Sequence, residues 1–440
     1  MFNKNGFFRQ NIAVGFLLFA LFLGAGNIIF PPELGQLAGD KIVISIIGFL
    51  ITGVGLPLLA IVVVAKNGGD LQVLGNRVSA KFSIIFTAIV YLAIGPLFAL
   101  PRTGAVAYSI GVAPHLSNYM QDSWVPIFIS TLIFFSITIY LAYNPTKLVD
   151  RIGKILTPAL LIVICLLAIK AFITPLGEIN EPRGAFTTNA FGESFVQGYL
   201  TMDVLGALVF GIVIVQALQN RGITDRAKQV KISIFAGIIA ALGLAFVYIS
   251  LAYIGVTSPD AVGYLDDGGS ILAAASNVLY GSAGSIILSA TIILACLTTA
   301  VGLLSANASF FHKLFPRIPY KAFLIIFTLF SFAFANVGLS NLIAFSLPVL
   351  LIIYPIAIVL MLLALVGNWF NHSKIVYALG LIVTFIISLN DGLVQANIII
   401  PGYSDFIQVL PLHDQSVSWL IPMIIAAIVG YAIQIFVNKK

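Results

Sequence analysis

The chain has 440 residues, of which 60% are apolar and only 9% are charged. Roughly a quarter of the residues in a soluble domain are charged, because its outer shell must face water. This composition argues against a soluble enzyme, a nucleic-acid-binding protein and a secreted disulfide scaffold. Since a helix needs about 20 apolar residues to cross a bilayer, the sequence predicts an all-α polytopic membrane protein.

Apolar runs, separated by short loops rich in glycine, proline, asparagine and charge, predict twelve transmembrane helices. The runs are unbroken rather than alternating, which favours helices over a membrane β-barrel. The first run is too long for the apolar part of a signal peptide, so it is kept as a span. In chain order the predicted spans cover residues 11–31, 41–65, 82–109, 124–143, 152–174, 196–218, 230–256, 285–311, 321–337, 342–366, 375–390 and 418–437.

The charged residues sort by side once these spans are drawn. Most lysines and arginines fall in the loops on one side, with Lys41, Lys170 and Arg183 as exceptions and Arg102 inside the third span. Most acidic residues fall on the other side. Because basic loops stay in the cytoplasm, both termini are predicted to be cytoplasmic. The net charge of +6 then needs no nucleic-acid partner.

Motifs that would drive chemistry on this chain are missing from the sequence. It contains no GxxxxGK[ST] phosphate loop for ATP and no HExxH motif for an intramembrane metalloprotease. An intramembrane aspartyl protease would need two facing aspartates, and only Asp203 lies clearly within a span. Passive or gradient-driven movement of a solute therefore remains as the expected activity.

The first span carries the most informative break. Residues 16–32 read FLLFALFLGAGNIIFPP, with glycines, an asparagine and a proline pair deep in an apolar run. Broken membrane helices persist where their freed backbone groups line a cavity, and transporters bind substrates and ions at such breaks. The alternative is a small-residue packing face. Gly24 and Gly26 are only two positions apart and would not share one helix face, which favours the binding interpretation.

The run GFLLFALFLGAGNIIFPPELGQLAGD at 15–40 resembles the signature of the branched-chain amino acid:cation symporter family, part of the amino acid–polyamine–cation superfamily. The resemblance implies a LeuT-like fold of two inverted five-helix repeats with spans 1 and 6 broken. The first repeat would cover 11–174, the second 196–366, and two peripheral helices 375–437. Further stretches that fit the family are ALPRTGAVAYS (99–109), RIGKILTPALL (151–161), GYLTMDVLGALVFG (198–211), LTTAVGLLSANASFF (297–311) and SLPVLLIIYP (346–355).

The resemblance also implies where a substrate would bind. The GxGN pattern of sodium-coupled members is matched by Gly24, Ala25, Gly26 and Asn27. The amides of Ala25 and Gly26 would then face the α-carboxylate of an amino acid, as an anion at a helix N-terminus does. Side-chain selectivity would come from an apolar pocket near the breaks. The candidates for this pocket are Phe22, Met202 and Phe210.

A sodium site is implied by the same superfamily pattern. Its ligands would be the carbonyls of Ala20, Leu23 and Ala295 and the hydroxyls of Thr298 and Thr299. Neutral oxygens suit a hard monovalent cation. A second sodium site in some relatives needs an asparagine in span 7, which residues 232–256 lack, so one cation per substrate is expected. Some superfamily members couple protons, and the proton stays open as the alternative ion.

Two ionisable residues within spans stay open in role. Asp203, near the expected break of span 6, could meet a substrate ammonium, carry a proton or hold the broken helix. Arg102, toward the outer end of span 3, is either its partner or a side chain that reaches the headgroups. Segment 268–283 has weak helical periodicity, and is interpreted as either a short extracellular lid or an inert loop.

The sequence thus predicts a secondary transporter in the bacterial cell membrane that imports leucine, isoleucine and valine with a cation, sodium being favoured, by alternating access. The lipid bilayer is an expected partner. No nucleic acid, ATP or covalent cofactor is expected, and the oligomeric state stays open. A passive channel is the main alternative, disfavoured because the rings of charge or carbonyls that set channel selectivity are missing. An intramembrane enzyme would lack a catalytic set.

Overall fold

The computed structural model describes residues 4–117, 123–143, 157–220 and 222–438, and within these ranges all regular structure is helical. Nine helical segments of this described part are long and apolar enough to cross a membrane. Two shorter apolar helices, Leu161–Ile173 and Tyr320–Ala335, accompany them. The start of the predicted fifth span, residues 152–156, lies outside the described ranges.

The described first half of the chain holds two π-helical turns that join one helix to the next. A π-helical turn at Ile51–Gly55 joins the third helix to the fourth. Between the sixth and seventh helices, Gly95 has non-helical backbone angles, and Pro96 follows it without an amide hydrogen to donate. The helices are α1 (Lys4–Phe22), α2 (Ala25–Ala38), α3 (Ile42–Leu50), α4 (Leu56–Lys66), α5 (Leu71–Gly75), α6 (Ala80–Leu92), α7 (Ala99–Gly111), α8 (Trp124–Ala142) and α9 (Thr157–Ile173).

The second half contains the longest helices. They are α10 (Phe186–Leu200), α11 (Asp203–Asn220), α12 (Arg226–Thr257), α13 (Pro259–Val262), α14 (Gly268–Leu314), α15 (Tyr320–Ala335), α16 (Leu339–Val366), α17 (Lys374–Gln395), α18 (Tyr403–Gln408) and α19 (Leu420–Asn438). Side-chain caps mark where several of them begin. Asp225 Oδ1 accepts from the amide of Lys228 at 2.7 Å to start α12, and Asp267 Oδ1 accepts from the amide of Gly269 at 2.8 Å to start α14.

Residues 268–280 bear on one of the two interpretations that the sequence left open, the inert loop. They form the first part of α14 and are not a loop. At Gly281 the backbone turns into the left-handed region, with φ 64° and ψ −160°, so the long helix is kinked there. Glycine reaches this region without the steric penalty that a side chain would bring. The helix cap at Asp267 and this kink define a separate helical arm before the main part of α14.

Helix α2 is held against α12 by glycines that bring the two backbones together. A Cβ atom on Gly35 would lie 2.2 Å from the carbonyl oxygen of Ala252, and one on Gly255 would lie 2.1 Å from that of Pro32. Only glycine fits at such distances. This contact holds α2 against α12, the longest uninterrupted helix of the second half.

The last helices pack at the edge of the molecule. Helix α17 contacts α16 and α19, and α19 leaves large apolar side chains such as Ile428 and Phe436 exposed. Exposed apolar side chains on a long apolar helix are what a lipid-facing surface requires. The helices on either side of residues 23–24 and 201–202, where the helical structure is interrupted, are by contrast largely buried.

Candidate functional site

The first helix break lies between α1 and α2. Helix α1 ends at Phe22 and α2 begins at Ala25, while Gly24 between them is extended, with φ −111° and ψ −166°. The amide of Gly24 donates to Asn27 Oδ1 at 3.0 Å. The first amides of α2 have no carbonyl one turn earlier in the helix. Their partial positive charge makes this helix start a favourable place for an anion.

The second break lies between α10 and α11. Helix α10 ends at Leu200 and α11 begins at Asp203. Met202 between them has a φ of 62°, a conformation that side chains other than those of glycine, asparagine and aspartate rarely adopt. Strained residues of this kind concentrate at functional sites because the surrounding packing must hold them in place. The sequence placed Asp203 near a break of span 6, and the structure puts it at the first residue of α11.

A buried polar cluster joins the two breaks. Asn27 Nδ2 donates to Asp203 Oδ2 at 2.7 Å, and the hydroxyl of Tyr248 donates to the same oxygen at 2.6 Å. Asn27 Nδ2 also donates to the Tyr248 hydroxyl. All three side chains are at most 3% exposed. The cluster links the starts of α2 and α11 to the middle of α12.

Arg102 in α7 is placed differently from both sequence-based alternatives. Its side chain is 2% exposed, so it does not reach the headgroups. It does not pair with Asp203. One terminal nitrogen donates to the carbonyl oxygen of Leu200 at 2.5 Å, and the other donates to Ser346 Oγ at 3.0 Å. Arg102 therefore holds the last residue of α10, immediately before the second break.

The two breaks open onto one cavity of about 440 Å3, counting the space that is continuous with solvent. Residues from α7, Arg102 and Thr103, line it together with Thr201 at the second break. All the residues predicted to contact a substrate also line it, namely Phe22, Gly24, Ala25, Gly26, Asn27, Met202, Asp203 and Phe210.

Two aromatic rings form the apolar part of the cavity wall. Phe22, the last residue of α1, and Phe210 in α11 meet edge to face, with ring centroids 6.3 Å apart. Leu21, Ile94 and Leu303 add aliphatic surface. The cavity therefore combines helix starts and charged groups with an apolar wall, which is the pattern of a site for a small amphipathic molecule.

The residues of the predicted sodium site are only partly brought together. Thr299 lines the cavity, and its hydroxyl donates to the carbonyl oxygen of Leu23 at 3.4 Å. The hydroxyl of the adjacent Thr298 donates to the carbonyl oxygen of Ala295 at 2.7 Å, a bond that membrane threonines commonly make to their own helix. Ala20 is buried in the preceding turn of α1. Among these predicted ligands, the contact that joins the first helix break to α14 is the one from Thr299 to Leu23.

Sequence reasoning missed several residues of the site. Tyr248 was one tyrosine among the apolar residues of a predicted span, and nothing in its neighbours indicates that it faces Asp203. Thr103 and Thr201 also went unnoticed. A threonine beside a predicted break was the one available signal, because its hydroxyl can cap a helix start. Thr201 Oγ1 does accept from the amide of Asp203, at 3.3 Å.

Comparison with known proteins first defines the class. The fold resembles that of Mhp1, a nucleobase-cation-symport-1 family transporter solved in a closed conformation with bromovinylhydantoin bound, with a TM-score of 0.59, 16% identity and coverage of 98% of this chain and 92% of that one. It also resembles MhsT in complex with L-phenylalanine, with a TM-score of 0.57, 15% identity and coverage of 95% and 98%. At these identities the likeness concerns the fold alone, and that fold is the all-helical LeuT type.

Closer relatives define the family. The family model described as "Branched-chain amino acid transport protein" matches residues 8–437. The permeases BraB and BrnQ of Bacillus subtilis are 45% identical over 433 residues (98% of this chain and 97% of BraB) and 47% identical over 430 residues (97% of each chain). The branched-chain amino acid transport system 2 carrier protein of Pseudomonas aeruginosa is 45% identical over 420 residues, 95% of this chain and 94% of the carrier.

The chain belongs to the branched-chain amino acid transport protein family. This confirms the family resemblance stated from the residues, and places the protein among multi-pass membrane transporters and not among enzymes.

Proposed function

We propose that this protein is a secondary active transporter that imports leucine, isoleucine and valine with a cation across the cell membrane. The observation that carries the proposal is the convergence of two helix breaks on one cavity, lined by every residue expected to contact substrate. Family membership supports the substrate class, since the relatives are named as branched-chain amino acid permeases and carriers.

The binding mode follows from the chemistry of the cavity. The α-carboxylate is expected at the start of α2, on the amides of Ala25 and Gly26, because a helix start favours an anion. The ammonium is expected on carbonyls at the two breaks, with the carboxylate of Asp203 nearby. The aliphatic side chain lies against Phe22 and Phe210. One methylene changes the binding free energy in an apolar pocket by only about 1–3 kcal/mol. Because this difference gives little discrimination, one site is expected to accept all three branched side chains.

Sodium is the coupling ion of this proposal. Its ligands are the carbonyls of Ala20, Leu23 and Ala295 and the hydroxyls of Thr298 and Thr299, all neutral oxygens of the kind that a hard cation accepts. The approach of Thr299 to Leu23 across two helices supports this placement. One cation accompanies each substrate, because the span that would supply a second site has no asparagine.

The transport cycle needs a topology as well as a site. In this proposal the chain crosses the membrane twelve times, with both termini in the cytoplasm. Spans 1 and 6, the broken ones, are formed by α1–α2 and α10–α11. Two inverted five-helix repeats, 11–174 and 196–366, move relative to each other to expose the cavity to one side at a time, and the helices of 375–437 are peripheral.

Leucine uptake into proteoliposomes under imposed gradients tests the function and the ion together. Accumulation of leucine above its outside concentration is expected with an inward sodium gradient at equal pH. Accumulation with a proton gradient alone would identify the proton, and not sodium, as the coupling ion. Equilibration without accumulation under either gradient would contradict symport and support the passive channel.

A further inference from the structure

Arg102 is a buried cation that faces the cavity and has no counter-ion within the part of the chain that the structure describes. It is 2% exposed and lines the same cavity as Asp203. No described carboxylate lies within 4 Å of its guanidinium. Its Nε atom has no hydrogen-bond partner. A charge removed from water is costly unless it is paired, so a structural role alone does not account for arginine at this position.

The guanidinium lies beside the start of α2. Its terminal nitrogen is 2.5 Å from the carbonyl oxygen of Leu200, and a Cβ atom built on Gly26 would lie 3.3 Å from that same oxygen. The ring of Phe30 makes a second link. It touches the built Cβ of Gly26 at 3.2 Å, and its centroid is 5.4 Å from Arg102 Cζ. The cation and the free amides of α2 therefore border one corner of the cavity.

We propose that Arg102 is a binding residue for the α-carboxylate of the transported amino acid, acting together with the amides of Ala25 and Gly26. The inference rests on the proposed function and adds an ionic contact to it. Leu200 and Ser346 each take one donor of the guanidinium and fix its orientation. The remaining N–H groups, including Nε–H, are left to form the paired hydrogen bonds that arginine makes with a carboxylate.

The charges of the cavity then match those of its ligand. Arg102 supplies one positive charge and Asp203 one negative charge, and the two are not paired with each other. A zwitterionic amino acid carries the complementary pair on neighbouring atoms. A ligand with an ammonium but no carboxylate would leave Arg102 buried and unpaired, which disfavours its binding by the penalty for an isolated buried charge.

The test compares leucine with leucinamide, which keeps the ammonium and the side chain but has no carboxylate. Dissociation constants for both are measured on the purified full-length protein and on its R102Q variant. We expect R102Q to weaken leucine binding about tenfold or more, as for loss of a hydrogen bond to a charged group, and to change leucinamide binding less than about twofold. The R102K variant keeps the positive charge but not the forked guanidinium. Its affinity for leucine is expected to lie between that of the unsubstituted protein and that of R102Q.

Ser388→Ala provides the matched control, because it removes a buried hydroxyl that donates to the carbonyl oxygen of Ile352 at 3.2 Å, away from Arg102 and from the cavity. Its ratio of leucine to leucinamide affinity is expected to stay that of the unsubstituted protein. If R102Q lost affinity for leucine and leucinamide equally, Arg102 would serve only to hold Leu200 and Ser346. That result would overturn the proposal and leave the proposed function intact. Failure of the unsubstituted protein to bind leucine would overturn both.

Discussion

Asn27 and Asp203 lie 176 positions apart in the chain, and their side chains are joined by a 2.7 Å hydrogen bond from Asn27 Nδ2 to Asp203 Oδ2. Each residue stands at the start of the helix that follows a break. The bond therefore fixes the distance between the two helix starts that border the cavity. Since both side chains are buried, water does not compete freely for it.

The charge of Asp203 is the first feature to test. D203N removes the negative charge that accepts the hydrogen bonds of Asn27 and Tyr248, so we expect the maximal rate of leucine uptake to fall by about tenfold or more. Uptake is measured against leucine concentration and pH in proteoliposomes. If Asp203 also carries a coupling proton, the pH dependence of uptake flattens in D203N.

Tyr248→Phe is the control for that experiment. It removes a hydrogen bond to Asp203 Oδ2 but keeps the carboxylate and the ring, so it is expected to reduce stability by about 1–3 kcal/mol and uptake less than D203N does. Uptake kinetics and a pH profile unchanged in D203N would contradict a role of Asp203 in binding or coupling.

The hydroxyl of Thr299 is expected to contribute to sodium binding. T299V keeps the shape of the side chain and removes the oxygen that lies 3.4 Å from the carbonyl of Leu23. We expect the sodium concentration for half-maximal uptake to rise about tenfold, which corresponds to roughly 1.4 kcal/mol. The measurement is leucine uptake at a series of sodium concentrations with constant ionic strength.

Thr291 in the same helix offers a matched control. Its hydroxyl donates to its own helix, to Ile287 at 2.7 Å, and it is outside the cavity. T291V should leave the sodium dependence as it is. A similar shift in both variants would indicate a general effect on α14 and would speak against a cation at Thr299.

Gly206 in α11 is expected to set the size of the pocket. A Cβ atom there would lie 3.4 Å from Phe210 Cε2, an ordinary contact, so packing does not require glycine. In a helix interior, glycine is about 1 kcal/mol less favourable than alanine. We expect G206A to fold well but to fill part of the cavity, lowering the uptake of leucine and isoleucine about tenfold relative to valine, as one methylene can.

The control for G206A is a glycine-to-alanine substitution that leaves the cavity unchanged. Gly55 serves, because a Cβ on it would lie 3.7 Å from the carbonyl oxygen of Leu50, in a turn away from the cavity. G55A should leave the three uptake rates in their original ratio. An equal reduction for all three amino acids in G206A would show that this position does not select by size.

Gly255 should behave in the opposite way to Gly206. A Cβ there would lie 2.1 Å from the carbonyl oxygen of Pro32, and backbone cannot move aside as a flexible side chain can. We expect G255A to destabilise the protein by about 1–3 kcal/mol or more, as overpacking does. Thermal unfolding in detergent, measured beside G55A, checks this. A melting temperature equal to that of G55A would contradict the close approach of α2 and α12.

The residues around the breaks could be predicted because their signal is local. Glycine, asparagine and proline within an apolar run mark Gly24 to Pro32 whatever the rest of the chain does. The roles of Tyr248 and Arg102 could not be predicted in this way. Their partners are 45 and 98 positions away along the chain, and which face of a helix looks inward depends on packing between helices. The helical arm of 268–280 was ambiguous because a capped helix and a polar loop there have similar composition.

The polar cluster of Asn27, Asp203 and Tyr248 connects α2, α11 and α12 at a single buried point. In a rocking motion, residues close to the axis of rotation move less than residues far from it. If the two halves of the protein rock to admit solvent first from one side and then from the other, we expect this cluster to be displaced less than the far ends of the three helices. The groups around the cavity would then stay in register with the ligand while the distant ends of the same helices open and close.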